Sequence, residues 1–493
     1  MKHLSLIIYH LSFCTKCAII LLCVACSDND SFTTSRGNLL TFSVDTVKMD
    51  TVFSNVGSST YTFWVFNHSG DGIRLNSVRL RSGNQTGFRA NVDGTYLDNS
   101  LGSVVNDLEV RKDDSIRVFV ELTAPENRQL EPQPVEDDLV FALESGVEQR
   151  VHLQSCAWDA VKLTNLVVTN DTTIESRVPI ILYGDGIRVD SGAVLTVRNT
   201  TLYFHDRAGI SVYGTLLTDS VVMRGDRLDH MFDYLPYDRV SGQWQGLHFY
   251  PSSTGNELTL TEIRNAVDAV VCDSAAYDEN QFRLILDRCI VHNSSGAGVL
   301  THNANIGLYN CLVSNTMGDC VAVYGGRAEL VYCTLAQFYP LSADRGAALR
   351  FTNSRDGENC PLHALLCVNS LVTGYADDVV MGESVDSLVA FDYYFEHCLL
   401  RTPKVDDTVS FSHIVWEEKV KQQGTPDSIF AAKQHFVNID EKNLYYDFHL
   451  DSLSAARGQA TNKYSSLFPT DLNGVLRRKD SPDLGCYESE YGD

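Results

Sequence analysis

The sequence predicts an all-β protein: an N-terminal β-sandwich followed by a parallel β-helix that ends in a separate C-terminal segment. Three observations carry this. First, the phrases LILDRCIVHN, GLYNCLVSN and ELVYCTLAQ place Cys289, Cys311 and Cys333 22 residues apart (311 − 289 and 333 − 311), with Leu286, Leu308, Leu330 and Val291, Val313, Leu335 in step. A fixed period of this size marks a solenoid whose units bury their apolar faces only against each other. Second, each phrase alternates apolar and polar residues with a one-residue slip, which is a strand interrupted by a bend and not a helical spacing. Three short strands and three turns fit about 22 residues. Third, residues 39–156 hold five alternating runs separated by turn residues, the profile of a sandwich.

Taken in order, the chain begins with Lys2 and Lys16, an apolar run from Ala18 to Ala25, and then Cys26. The run is too short to cross a bilayer and reads as a secretory signal over residues 1–25. LLCVACSDND resembles a bacterial lipobox, in which the cysteine after a small residue is acylated and becomes the first of the mature protein; that residue is Cys26, after Ala25. Cys23 stands where leucine is usual, and an ordinary signal peptide cleaved near Ala25 is the alternative. Ser27, Asp28 and Asp30 resemble the acidic tether of some Gram-negative lipoproteins displayed on the outer face of the outer membrane. The resemblance implies a tether over 26–38 and a lipid-anchored, surface-exposed protein. More than one acyl chain makes such an anchor stable.

Composition fits an exported body. There are 39 Lys plus Arg against 63 Asp plus Glu, a net charge of −24, which repels nucleic acid and anionic lipid. Of 14 cysteines, Cys14, Cys17 and Cys23 leave with the leader and Cys26 takes the lipid. Those in the repeat are expected to be free, buried thiols acting as small hydrophobes, because in-register neighbours present side chains with a poor torsion for a disulfide.

Residues 39–157 form the sandwich. The sequence FNHSGDGIRLNSVRL, then GFRANVDG, KDDSIRVFVELTAP and VEQRVHL, resembles immunoglobulin-like modules of the ASH type. That implies a spacer or docking unit. CAWDA, from Cys156, is read as the linker.

The solenoid is placed at 158–440. Asn265, Asn293 and Asn315 follow strands, where asparagine tolerates the left-handed backbone of a sharp turn. GISVYGTL echoes CVAVYGGRAEL, so the repeat extends upstream of the cysteines. With GQWQGLHFY, the GNEL turn at Gly255 and the EIRNA strand at Glu262, the segment resembles right-handed parallel β-helix surface lipoproteins. Residues 441–493 are read as a C-terminal cap. LNGVLRRKDSPDLGCYES resembles a closing signature of such proteins, matched by Asp471, Gly474, Arg477, Asp483, Gly485, Tyr487 and Glu488, which implies that it covers the open edge of the last coil.

No residue is assigned a catalytic role, and no metal or cofactor is implied. Asp377 and Asp378 lack the Gly-His-Gly and Arg-x-Lys that a polygalacturonase-like site needs, and read as a polar corner. Asp344, Arg345 and Arg350 are ordinary turn charges, and His292 and His302 lack the short spacing of a metal pair and read as exposed corners. The unusual stretch is the insertion at 224–244, where Tyr234, Tyr237 and Trp244 stand beside Asp229, Asp233 and Asp238. Rings that cover sugar C–H faces next to acids that accept hydroxyl hydrogen bonds make a glycan site. The alternative is that the loop folds over a sheet and packs its rings there. The expected function is a non-catalytic binding or structural β-helix with a possible glycan ligand. A polysaccharide lyase or glycoside hydrolase and an adhesin are the alternatives.

Overall fold

The computed structural model describes residues 31–417 and 432–489, so the leader and Cys26 lie outside the described residues. The chain divides into two compact units, one up to Trp158 and one from Asp159. The first is a sandwich of a five-stranded and a six-stranded sheet. Alternation explains its core. In Ser115–Leu122, Val118 and Val120 point inward, and in Glu148–Trp158 so do Val151 and Leu153, all 0% exposed. The FNHSGDG phrase is pinned by buried Asn67, whose amide donates to the carbonyls of Asp71, Val110 and Arg111.

The second unit is a right-handed parallel β-helix in which 23 strands pair in one continuous sheet from Val161–Val168 to Val415–Trp416. Ile290 pairs with Leu312 and Leu312 with Thr334, from 290 to 312 to 334, which is the 22-residue step of the sequence. Leu286, Leu308 and Leu330 stack in one interior column and Val291, Val313 and Leu335 in another, all buried. The one-residue slip is a left-handed residue immediately before each cysteine: Arg288, Asn310 and Tyr332 have φ of 51°, 52° and 55°. Asn265, Asn293 and Asn315 are left-handed too, and the Asn293 amide donates to Asn265 Oδ1 at 2.9 Å. Cys289, Cys311 and Cys333 are free and 0% exposed. Each Sγ donates to a carbonyl of the preceding coil, those of Leu258, Leu286 and Leu308, at 3.1, 3.3 and 3.3 Å.

Among the described residues the parallel pairing runs to Trp416, and Phe436–Asp440 pairs antiparallel with Tyr445–Leu450. That C-terminal segment is seated along the flank of the coils, and its His435 lies 3.5 Å from Glu417, which follows the strand Val415–Trp416. Arg477 donates to Asn310 Oδ1 at 2.8 Å and lies 3.7 Å from the Tyr332 ring centre, and Gly485 N–H donates to the Asn369 carbonyl. The physical reason is a second apolar surface. Leu312–Ser314 and Thr334–Gln337 are buried on both faces, one inward and one against Phe436, Phe448 and Leu484.

Candidate functional site

The insertion does not form the site expected of it. Trp244 is 0% exposed, stacked on Phe204 at 4.1 Å with its Nε1 donating to the Arg264 carbonyl, so its ring is core and offers no face to a ligand. Asp229 is buried and pairs with Arg227 at 2.6 Å, while Tyr237 lies under the Arg227 guanidinium at 4.0 Å. The Asp238 carboxylate pairs with Arg224 at 2.7 Å and Arg264 at 3.4 Å. Burial lowers the affinity of Arg224 for its proton, and the Asp238 charge opposes that shift. Trp244 and Asp238 hold the loop to the solenoid and Asp229 and Tyr237 brace it internally through Arg227, because a long excursion needs such contacts to stay ordered. Asp233 and Tyr234 remain exposed at the tip, where Tyr234 stacks on Phe232 at 5.7 Å.

The other sequence candidates are also dispersed. Asp377 lies 3.6 Å from buried Arg401. Arg350 pairs with Asp319 at 2.7 Å, and Arg345 lies over the Tyr375 ring. His292 is not an exposed corner. The C-terminal segment places Tyr446 and Phe448 against it, and burial pushes its imidazole down to about 4. His302 Nε2 stands 3.1 Å from Cys360 Sγ. Among the described residues, no three His, Cys, Asp or Glu side chains gather as metal ligands.

A different site is built by the coils themselves. In the strands Ile180–Val189, Gly209–Val212, Leu247–Phe249 and Val270–Cys272, alternate residues point into the core, so Arg188, Ser211, His248 and Val271 form one outward row. Beside this row Gly186, Gly209 and Gly246 stack. Gly186 and Gly246 have φ of 82° and 87°, and an added Cβ would lie 2.1 Å from the Gly209 carbonyl oxygen and 1.8 Å from that of Asp268, so only glycine fits. The bottom of the resulting groove, about 740 Å³, is therefore main chain.

One wall of the groove is a stack of rings. Tyr213 and Tyr250 lie 4.1 Å apart at 11°, His248 lies 4.1 Å from Tyr250, and the Arg188 guanidinium covers Tyr213 at 5.0 Å. The stack thus buries both faces of Tyr250 between its neighbours and places the Tyr213 and Tyr250 hydroxyls side by side. Asp190 fixes Arg188 at 2.7 Å and Asp273 fixes His248 Nε2 at 2.9 Å. Asp185, Arg207 and Gln245 also line the groove. Such an arrangement orients hydroxyl groups from several sides. The sequence carried a signal for it that residue types alone did not reveal: Gly209 to Tyr213 and Gly246 to Tyr250 have the same Gly-x-x-x-Tyr spacing, in GISVY and GLHFY.

Residues 151–335 match the family described as a right handed beta helix region. No curated protein matches the chain. Among solved structures, pectate lyase Pel9A is similar at 11% identity and a TM-score of 0.33, over 67% of this chain and 88% of that one. A protein of unknown function from Porphyromonas gingivalis W83 is similar at 12% identity and a TM-score of 0.18, over 26% of this chain and 59% of that one, so the match spans less than two thirds of that protein. PapD-like domain 7 of human CEP192, an ASH / PapD-like domain, is similar at 13% identity and a TM-score of 0.17, over 26% of this chain and 91% of that one.

Proposed function

We propose that the protein is a surface lipoprotein, anchored at the outer membrane through Cys26, whose β-helix binds a neutral glycan without cleaving it. The N-terminal sandwich, in this reading, is an ASH-type immunoglobulin-like spacer. The observation that carries the binding reading is the main-chain groove over Gly186, Gly209 and Gly246, walled by the Tyr213, Tyr250 and His248 rings and by fixed charged groups. Polyols are held by directional hydrogen bonds from rigid partners beside apolar rings, and Arg188 and His248 in this groove are already oriented by Asp190 and Asp273. The net charge of −24 disfavours polyanions as the main ligand.

A glycan array with the mature protein tests this. Ser211→Trp fills the groove from the solvent side, so it should abolish array binding and leave the melting temperature unchanged. Undiminished binding by that variant would place the ligand elsewhere.

One observation favours a second reading, a polysaccharide lyase or glycoside hydrolase. His248 is an imidazole oriented by a carboxylate, Asp273, at 2.9 Å inside the groove, which is how a general base is held. Shortened or unsaturated products from any array member, lost in His248→Gln, would establish that reading over the non-catalytic one.

A further inference from the structure

A second pocket of about 690 Å³ opens beyond the groove, between the turn at Pro251 and Thr254, the loop carrying Tyr277 and Gln281, and the strand Val299–Tyr309. Its lining includes Arg283, which is 6% exposed. The guanidinium donates to three main-chain carbonyls, those of Ser253 at 3.2 Å, Tyr250 at 2.9 Å and Asp273. Among the described residues no carboxylate pairs with it. Carbonyl dipoles hold the fork in place and leave two of its five N–H donors, and they do not neutralise the charge. A buried cation of this kind calls for an anion.

An independent observation concerns Asn305, 3% exposed, in the same lining. Its amide nitrogen donates to the Asp278 and Gln281 carbonyls at 3.2 and 3.0 Å, while its Oδ1 has no partner. An amide oxygen only accepts, so its complement is a hydroxyl. The lining also carries the exposed carboxylates Asp278 and Glu279, which oppose any ligand charge beyond the one that the guanidinium pairs. Tyr277, stacked on His363 at 4.2 Å, fixes the loop that bears them.

We infer that the Arg283 pocket binds a small hydroxy-carboxylate of the uronic-acid type, with the carboxylate on the guanidinium and a hydroxyl on Asn305 Oδ1. The site is separate from the groove and does not depend on the glycan reading of it.

Calorimetric titration of the full mature protein with D-glucuronate tests the inference. D-glucose and acetate, which each carry half of the recognised chemistry, serve as controls. Glucuronate should bind saturably and both controls at least about tenfold more weakly, since glucose leaves the charged contact to Arg283 unmade and acetate leaves the buried Asn305 Oδ1 unsatisfied. Arg283→Lys should weaken glucuronate, but it also disturbs three carbonyl contacts. Ala276→Trp is therefore the second variant: Ala276 is exposed and lines the pocket, so the added ring should block binding at an unchanged melting temperature. Ser211→Trp, which blocks only the groove, should leave glucuronate affinity intact. Absence of saturable glucuronate binding, equal binding of glucose, or full affinity in Ala276→Trp overturns the assignment.

Discussion

At the scale of single residues, Cys311 shows how a side chain readable by its period is explained only by its partners. The 22-residue spacing placed it in the core, and the structure adds that its thiol donates to the Leu286 carbonyl of the coil before it. Burial pushes Cys272 up to about 11 and Cys320 up to about 12, and raises Cys289 and Cys333, so these thiols stay protonated and inert. Cys289, Cys311 and Cys333 are all 0% exposed, so thiol probes should label them only after unfolding, as mass spectrometry of labelled peptides would read. Cys311→Ala should cost roughly 1–2 kcal/mol in denaturant melts, and Cys311→Asp more than about 4, because it buries an uncompensated charge. A second residue sets a pH limit. Burial alone would raise the Glu417 carboxyl, but contacts with His435, Arg401 at 2.9 Å and Thr373 at 2.8 Å outweigh it and hold the group below the usual carboxylate range. A depressed folded value means that this stability is present above the unfolded value of about 4.3 and is lost as pH falls through the folded one. The melting temperature should accordingly fall more steeply below about pH 4 in the wild type than in Glu417→Gln, and identical acid limbs would show that Glu417 does not carry this dependence.

At the scale of elements, the strands were legible and the excursions between them were not. Alternation and period identify a strand because they report one buried face per residue pair, and this holds at Leu286, Leu308 and Leu330. Whether an aromatic in an insertion faces solvent depends on a distant coil that no local pattern encodes. Trp244 entered the core because Phe204 is there to receive it, and Tyr234 stayed outside, 75% exposed. Trp244→Ala should thus cost roughly 3–5 kcal/mol, the range for emptying a large aromatic site, whereas Tyr234→Ala should stay within about 0.5 kcal/mol. The C-terminal signature teaches the same lesson. Its residues interlock locally, as Asp471 accepting from Glu488 N–H at 2.9 Å shows, but the coils they lean on lie more than a hundred residues upstream. The groove escaped for a further reason: its floor is defined by missing side chains at Gly186, Gly209 and Gly246, and residue chemistry gives no sign of that.

At the scale of the whole molecule, the two units keep separate hydrophobic clusters. One gathers Phe63, Phe88, Val120 and Phe141, and the others run from Val168 to Leu400 and from Leu312 to Tyr487. The proposed anchor rests on the sequence LLCVACSDND, because Cys26 lies outside the described residues. Replacing Cys26 with Ser should give a soluble or uncleaved species without palmitate labelling, since the stretch resembling a lipobox offers no second thiol after a small residue. The separate clusters have a consequence for unfolding. A unit that buries Phe63, Val118, Leu139 and Val151 to 1% exposure or less within its own sheets has the core that independent folding requires. Residues 31–158 expressed alone should therefore unfold cooperatively with a β-type circular dichroism spectrum. In the intact protein the Ile116→Ala and Val118→Ala variants should lower only the transition belonging to that fragment, by roughly 2–4 kcal/mol each, while Cys311→Asp should lower only the other. A fragment without a cooperative transition, or a single transition that moves with variants of either unit, would mean that the sandwich draws its stability from the β-helix.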